Sequence, residues 1–204
     1  MNQPRQFYVV GAGGHAKVTS SVITSLGHQV AAALDDDLAK NGGELAGVRI
    51  VAPCDELRNM KPRPTIIGIG SNQLRQITAG RFDVEWGIAV HPSAILDPSV
   101  TIGRGSVVMA GAIIQAGTRI GEHCVINTGA TVDHDCRVDD FCHVAPGVNL
   151  AGHCELEQGV FVGIGACAIP SVRIGAWATV GAGAAVVHDL PSGVVATGIP
   201  ARPR

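Results

Sequence analysis

The sequence predicts an α/β chain: a Rossmann-like half domain followed by a parallel β-helix built on a six-residue repeat. Three observations carry this reading. From Val90 to Val186 every sixth residue is a branched aliphatic, Ala168 excepted, and no insertion breaks the count. Two positions before each, from Ala94 onward, stands a small residue such as Ser106, Ala112, Cys124 or Ala130, or a valine. Ahead of the repeat, the apolar run Phe7-Tyr8-Val9-Val10 ends in the turn Gly11-Ala12-Gly13-Gly14-His15-Ala16.

The repeat decides the architecture and is read first. A period of six fits neither a helix nor an ordinary strand. Six residues per face and three faces per turn give a triangular solenoid with eighteen residues per coil. The aliphatic (position one) and the small residue (position five) point inward, and the rest face out or turn corners. Aromatics at 3% and 27 glycines suit a narrow interior with many tight corners. The expected boundaries are 1–85 for the front domain, 86–188 for the β-helix and 189–204 for a C-terminal tail.

In the front domain Val18, Val22, Ile23 and Leu26 recur at helical spacing, and Gly27 closes that helix. Val30 to Leu34 reads as a second strand ending in Asp35-Asp36-Asp37. Thr65 to Ile69 reads as a third, followed by Gly70-Ser71-Asn72 and a helix from about Gln73 to Arg81. Strand, glycine turn, helix, strand and acid form the plan of a parallel nucleotide-binding sheet. The Gly11-x-Gly13-x-x-Ala16 spacing matches the dinucleotide fingerprint. Room for only three or four strands points to a nucleotide attached to something other than nicotinamide. Gly13 and Gly14 would let a phosphate approach the helix N-terminus, with a plain tight turn as the alternative. His15 reads either as a surface cap or as a donor to phosphate or sugar. Asp35 and Asp36 offer acceptors at the strand's C-terminal edge, and Asp37 reads as solvated.

Composition excludes several classes. The net charge of −2 without a basic stripe argues against nucleic acid and anionic membrane surfaces. No apolar stretch is long enough to span a bilayer, the N-terminus lacks a signal pattern, and the chain reads as cytoplasmic. Cys124, Cys136, Cys142 and Cys154 fall on the small inward position and read as core residues, with no Cys-x-x-Cys spacing for zinc. Cys167 alone among the β-helix cysteines is off that phase.

Phase also sorts the histidines. His134, His143, His123 and His153 all fall outside the inward positions, so none reads as a buried core histidine. His123 and His153 read as surface residues without special neighbours. His134, within Asp133-His134-Asp135, has the flanking acid that orients an imidazole and raises its basicity, as a general base needs. His134 and His143 are nine residues apart, half a coil, and so lie on opposite sides of one prism. One site using both requires neighbouring copies, which predicts a homotrimer with sites between subunits. Gly152, eighteen residues after His134, should stack beside it and offer a backbone N–H.

These residues resemble the left-handed β-helix (hexapeptide) acyltransferases. More closely, the chain resembles the sugar N-acetyltransferases of bacillosamine and perosamine biosynthesis and the related sialic-acid O-acetyltransferases. The likeness runs through Gly11 to His15, Leu34-Asp35-Asp36, Gly68-Ile69-Gly70-Ser71-Asn72, His91-Pro92-Ser93-Ala94, Asn127 to Cys136, His143-Val144-Ala145-Pro146-Gly147 and Gly198-Ile199-Pro200-Ala201. The resemblance implies acetyl transfer from acetyl-CoA to the amine of a nucleotide-linked amino sugar, without a metal. It implies His134 as base with Asp135 behind it, acetyl-CoA held by Asn127, His143, Gly152, Ile164 and Ala182, and the nucleotide sugar held by Gly13, Gly14, His15, Asp35, Asp36 and Gly70. Where some members have Glu at position 135 and Gly at 182, this chain has Asp and Ala. Three rivals stand beside this reading. A zinc-dependent γ-carbonic anhydrase needs a His-x-x-x-x-His pair that the sequence lacks; the others are a sialic-acid-type O-acetyltransferase and a non-catalytic nucleotide-sugar scaffold.

Overall fold

A computed structural model describes residues 3–204. The front domain contains β1 (Gln6–Val10), α1 (Gly14–Ser25), β2 (Gln29–Leu34), β3 (Glu44–Leu45), β4 (Val48–Val51), β5 (Thr65–Ile67) and α2 (Asn72–Arg81). Its sheet order is β3-β4-β2-β1-β5. β1, β2, β4 and β5 are parallel, and β3 is an antiparallel hairpin arm on β4. The sequence reading passes over β3 and β4, whose apolar residues (Leu45, Val48, Ile50, Val51) lie among charged and glycine neighbours. β5 stops at Ile67, two residues short of the expected end. Val18 faces solvent, and the buried side of α1 is instead Ala16, Thr19, Ser20, Val22 and Ile23. Ser71 caps α2, its hydroxyl accepting from the Leu74 N–H.

From Ala89–Val90 (β6) to Ala185–Val186 (β22), a two-residue strand recurs every six residues. The strands stack in parallel into three faces, each residue pairing with the one eighteen positions on, as in Val125↔His143, Thr131↔Asn149 and Arg137↔Glu155. Face 1 carries Val107, Val125, His143 and Phe161; face 2 carries Ile95, Ile113, Thr131, Asn149 and Cys167; face 3 carries Thr101, Arg119, Arg137, Glu155 and Arg173. The inward aliphatics and small residues form one buried column, with Cys124, Cys136, Cys142 and Cys154 inside it. Burying each Val, Leu or Ile there stabilises the fold by roughly 1.5–3 kcal/mol. β23 (Val195–Thr197) continues face 1 beyond Thr179–Val180, and β24 (Arg202–Pro203) turns back antiparallel on it. The last coil is thereby covered where an open sheet edge would invite pairing.

The front domain sits on face 1. Outward-pointing Ala89, Val107 and Val125 are buried in one cluster with Phe7, Val9, Ala16, Ile23 and Ile66. Arg75 of α2 crosses this boundary, donating through Nε to His123 O at 2.7 Å and through Nη2 to Phe141 O at 2.8 Å. Asn72 Nδ2 reaches Gly159 O at 3.0 Å.

Docking corrects the sequence reading of two histidines. His123 and His143 do point out of the solenoid, but the front domain covers them, leaving 3% and 7% exposed. His123 stacks flat on Phe141, with Trp86 edge-on. Hexad phase gives the direction of a side chain from the coil axis; it says nothing of a second domain laid over one face.

Candidate active site

The front domain encloses a cavity of about 490 Å³ at the C-terminal ends of β1, β2 and β5. Gly11, at φ +111°, is required by the fold: a Cβ there would stand 2.9 Å from Gly68 O. Gly68 brings β5 against α1, since its own Cβ would stand 2.8 Å from Ala16 Cα. Gly13 and Gly14 differ, because a Cβ on either meets nothing within 4 Å. Protein packing does not demand glycine at these two positions; their bareness leaves room at the N-terminus of α1, where backbone N–H groups attract an anion.

At the opposite wall Asp35 is engaged from within. Its Oδ2 accepts from Ala12 N–H and Lys40 Nζ, both at 2.9 Å, and its Oδ1 accepts from Asp37 N–H at 3.0 Å. Burial opposes its charge, but these donors outweigh it and hold the carboxyl below the usual range. Asp36 is held low chiefly by Arg81, 2.5 Å away, and remains 54% exposed at the rim. Leu74 and Ile77 of α2 give the cavity an apolar wall. The sequence reading assigns neither these nor Lys40 and Arg81 to the site. The available signal was the i, i+3, i+7 spacing that puts Leu74, Ile77 and Arg81 on one helical face.

His15, in the cavity lining, is the link from the cavity to the solenoid. His15 Nε2 is buried and, among the described residues, has no hydrogen-bond partner. Its ring lies 5.7 Å from that of His143, centroid to centroid. His143 Nδ1 faces Gly70 O at 3.2 Å and its Nε2 faces Asn127 Nδ2 at 3.0 Å. The carbonyl fixes the tautomer: Nδ1–H donates, and Nε2 accepts from the amide. Burial first, then Arg75, brings both His15 and His143 down to about 4, so both rings are neutral at pH 7. With both nitrogens engaged, His143 is a fixed neutral contact and not a free base.

His134 stands elsewhere, at the corner joining faces 2 and 3, and that corner is opposite face 1. Its Nδ1 is 2.9 Å from Asp135 Oδ2. This hydrogen bond, ahead of the nearby charges, raises its basicity above the ordinary imidazole. Asp135 sits at φ +56°, a left-handed corner that keeps its carboxylate beside the ring. Gly152 lies directly beneath the imidazole: a Cβ would stand 2.6 Å from Nε2. His153, expected to lack special neighbours, packs edge-on against His134 and places Nε2 3.8 Å from Asp135 Oδ2.

Ile164 and Ala182 are exposed on the corner joining faces 1 and 2. Asn127 shares that corner, eighteen-residue stacking aligning it with them within one position. The residues expected at the site therefore fall into two groups separated by the width of face 2. The front-domain cavity, His143, Asn127, Ile164 and Ala182 lie toward one edge; His134, Asp135 and Gly152 lie at the other. No helix among the described residues is long and apolar enough to cross a membrane.

The PglD N-terminal domain family matches residues 6–82, and the bacterial transferase hexapeptide (six repeats) family matches residues 99–134. A point mutant of the perosamine N-acetyltransferase of Caulobacter crescentus, solved with CoA and GDP-perosamine, is 40% identical with a TM-score of 0.93, covering 98% of this chain and 96% of that one. The chain belongs to the hexapeptide-repeat sugar N-acetyltransferase family. The acetyltransferase domain of PglB from Neisseria gonorrhoeae, another structure of this left-handed β-helix type, is 37% identical, with a TM-score of 0.92 over 98% of this chain and 100% of that one. The UDP-N-acetylbacillosamine N-acetyltransferase of Bacillus subtilis is 42% identical over 108 residues, half of each sequence. The chain spans half or less of the length of the curated relatives it matches.

Proposed function

We propose that the chain is an acyltransferase moving acetyl from acetyl-CoA to the 4-amino group of a nucleotide-linked 4-amino-4,6-dideoxy sugar, in surface-glycan or glycoprotein-glycan synthesis. One observation carries the reading: His134, polarised by Asp135 at 2.9 Å, presents Nε2 over a bare glycine. Asp135 accepts from Nδ1–H, which leaves the Nε2 lone pair to take the amine proton as the nitrogen attacks the thioester carbonyl. The backbone N–H of Gly152 is the proposed donor to the resulting oxyanion. Collapse of the tetrahedral centre expels the CoA thiolate, and no acyl-enzyme is formed.

On the substrate side, Gly13 and Gly14 admit the diphosphate to the start of α1, beside His15, whose buried Nε2 has no hydrogen-bond partner among the described residues. Gly70 sets the floor, Asp36 is the accessible acceptor at the rim, and Asp35 organises the wall through Ala12 and Lys40. Asn127, His143, Ile164 and Ala182 form the acetyl-CoA groove. Because the base and this groove lie across face 2, we place each complete site between two copies of a homotrimer. The surface columns favour face 2 as the contact: Ile95, Ile113, Thr131, Asn149 and Cys167 are uncharged, whereas face 3 carries Arg119, Arg137, Glu155 and Arg173. Acetyl-CoA as donor supports a cytoplasmic reaction as part of this reading.

A UDP sugar is the first candidate, from the Asp35-Asp36 pair resembling bacillosamine-type members, and a GDP sugar is the second. The test is thiol release from acetyl-CoA across UDP-, GDP- and dTDP-linked 4-amino sugars, with His134→Ala alongside. Turnover on one nucleotide, falling at least ~10²-fold in the variant, supports the assignment. Silence on every amino sugar with turnover on a sialic-acid hydroxyl overturns it.

A further inference from the structure

We propose that His134, Asp135 and His153 bind one divalent transition-metal ion of the zinc class, and that this ion silences the chain by locking His134 in the wrong tautomer. One nitrogen from each imidazole and one carboxylate oxygen lie within 4.8 Å of one another. Two edges of the group are 2.9 Å (His134 Nδ1 to Asp135 Oδ2) and 3.8 Å (Asp135 Oδ2 to His153 Nε2). They bracket the roughly 3.3 Å separation that a tetrahedral ion with ~2.0 Å bonds imposes on its ligands. Two imidazoles and one carboxylate suit Zn²⁺ or Co²⁺ and leave a position for water.

The solenoid sets this geometry. Asp135 and His153 are eighteen residues apart and occupy the same left-handed corner on successive coils, at φ +56° and +60°. His134 precedes Asp135 and leans over Gly152, the residue before His153, so its ring meets that of His153 at 5.2 Å. All three side chains are about half exposed, open to an ion from solvent.

A neutral imidazole carries one proton. Without the ion, Asp135 holds that proton on Nδ1 and Nε2 is the base. An ion on Nδ1 displaces the proton to Nε2, turning the acceptor into a donor while the cavity and the acetyl-CoA groove keep their shape. Metal binding requires only the three side chains; the effect on turnover rests on His134 acting as base.

The full chain, freed of metal by a chelator, is titrated with Co²⁺ while its visible d–d absorption is followed, and Zn²⁺ is then used to displace it. One equivalent per chain is expected, with affinity weakened about tenfold or more in His153→Asn. His153→Asn should turn over as wild type without metal and escape Zn²⁺ inhibition, which in wild type lowers kcat and leaves both KM values in place. No Co²⁺ uptake at sub-millimolar concentration, or equal uptake by His153→Asn, overturns the site. Stoichiometric Zn²⁺ with undiminished turnover overturns the inhibitory role. The metal-free His134→Ala assay reads the base assignment separately.

Discussion

A methyl group on the Cα of Gly152 would stand 2.6 Å from both Cε1 and Nε2 of His134. Gly152 is not among the residues at positive φ, so its backbone accepts alanine; only the ring must give way. Gly152→Ala should therefore leave stability within about 1 kcal/mol of wild type, as for a change that moves one exposed side chain. Turnover should fall about 10- to 100-fold, because a base displaced by about 1 Å loses its line to the amine. Urea unfolding and steady-state kinetics on the same preparation test both halves. Full turnover would mean that this stacking does not set the working position of the ring.

Asp135→Asn keeps the corner, since asparagine tolerates positive φ, and removes the charge behind His134. The imidazole lies above its ordinary range in the wild type, chiefly through the Asp135 hydrogen bond. A general base works deprotonated, so kcat/KM should rise with pH through an acid limb set by His134. In Asp135→Asn that limb should move to lower pH, while the plateau falls as basicity is lost. A limb that stays in place would assign the titration to another group.

The hexad count made the solenoid legible, because each inward position repeats without insertion and the interior admits few side chains. It also placed His134 above Gly152, a relation that depends only on coil length. What it left out is whatever depends on the front domain's seat. Val107 and Val125 are apolar at an outward position one coil apart, and that column was the available sign that face 1 is covered. His143 continues the same column, which is why it is buried beside Gly70 and does not stand in solvent. Lys40 and Asp35 meet through a short 3-10 turn at Leu38–Lys40 that carries no hydrophobic period. Arg75 sits amid a polar helix and gave no local sign of its burial.

Arg75 is 1% exposed, and its guanidinium donates to the carbonyls of His123, Ile69, Gly70, Phe141 and Cys142 and to Asn72 Oδ1. Burial lowers it to about 10, which still leaves it charged at pH 7. Its partners are neutral acceptors from both domains, so it ties α2 to face 1 by hydrogen bonding, without a carboxylate. Arg75→Met keeps the aliphatic stem and leaves the carbonyls of His123, Ile69 and Phe141 without a donor, each costing about 1–3 kcal/mol if it stays dry, whereas Gly70 O keeps His143 Nδ1–H and Cys142 O keeps the Val125 N–H. A loss of about 3 kcal/mol or more is expected in urea unfolding, with earlier proteolysis in the loop before Ala89. A variant as stable as wild type would show that water replaces the guanidinium at no cost.

His123 makes acid stability testable. Burial, its dominant influence, brings the ring from 6.5 down to about 4, against the opposing pull of Glu122. Between these values the unfolded chain binds the extra proton and the folded chain does not. Stability contributed by this ring therefore rises with pH from about 4 to 6.5 and is level above. His15 and His143 are lowered in the same direction, so the wild type should weaken steadily on acidification below pH 6.5. His123→Phe removes one of the three titrations while keeping the stack on Phe141, which already adopts the same left-handed corner one coil on, at φ +60°. Comparing unfolding at pH 7 and pH 5, the variant should lose about 2 kcal/mol less than wild type, the 1.5-unit gap between pH 5 and the unfolded value. Equal losses in the two proteins would mean that His123 takes up its proton without opening the contact between Trp86 and Phe141.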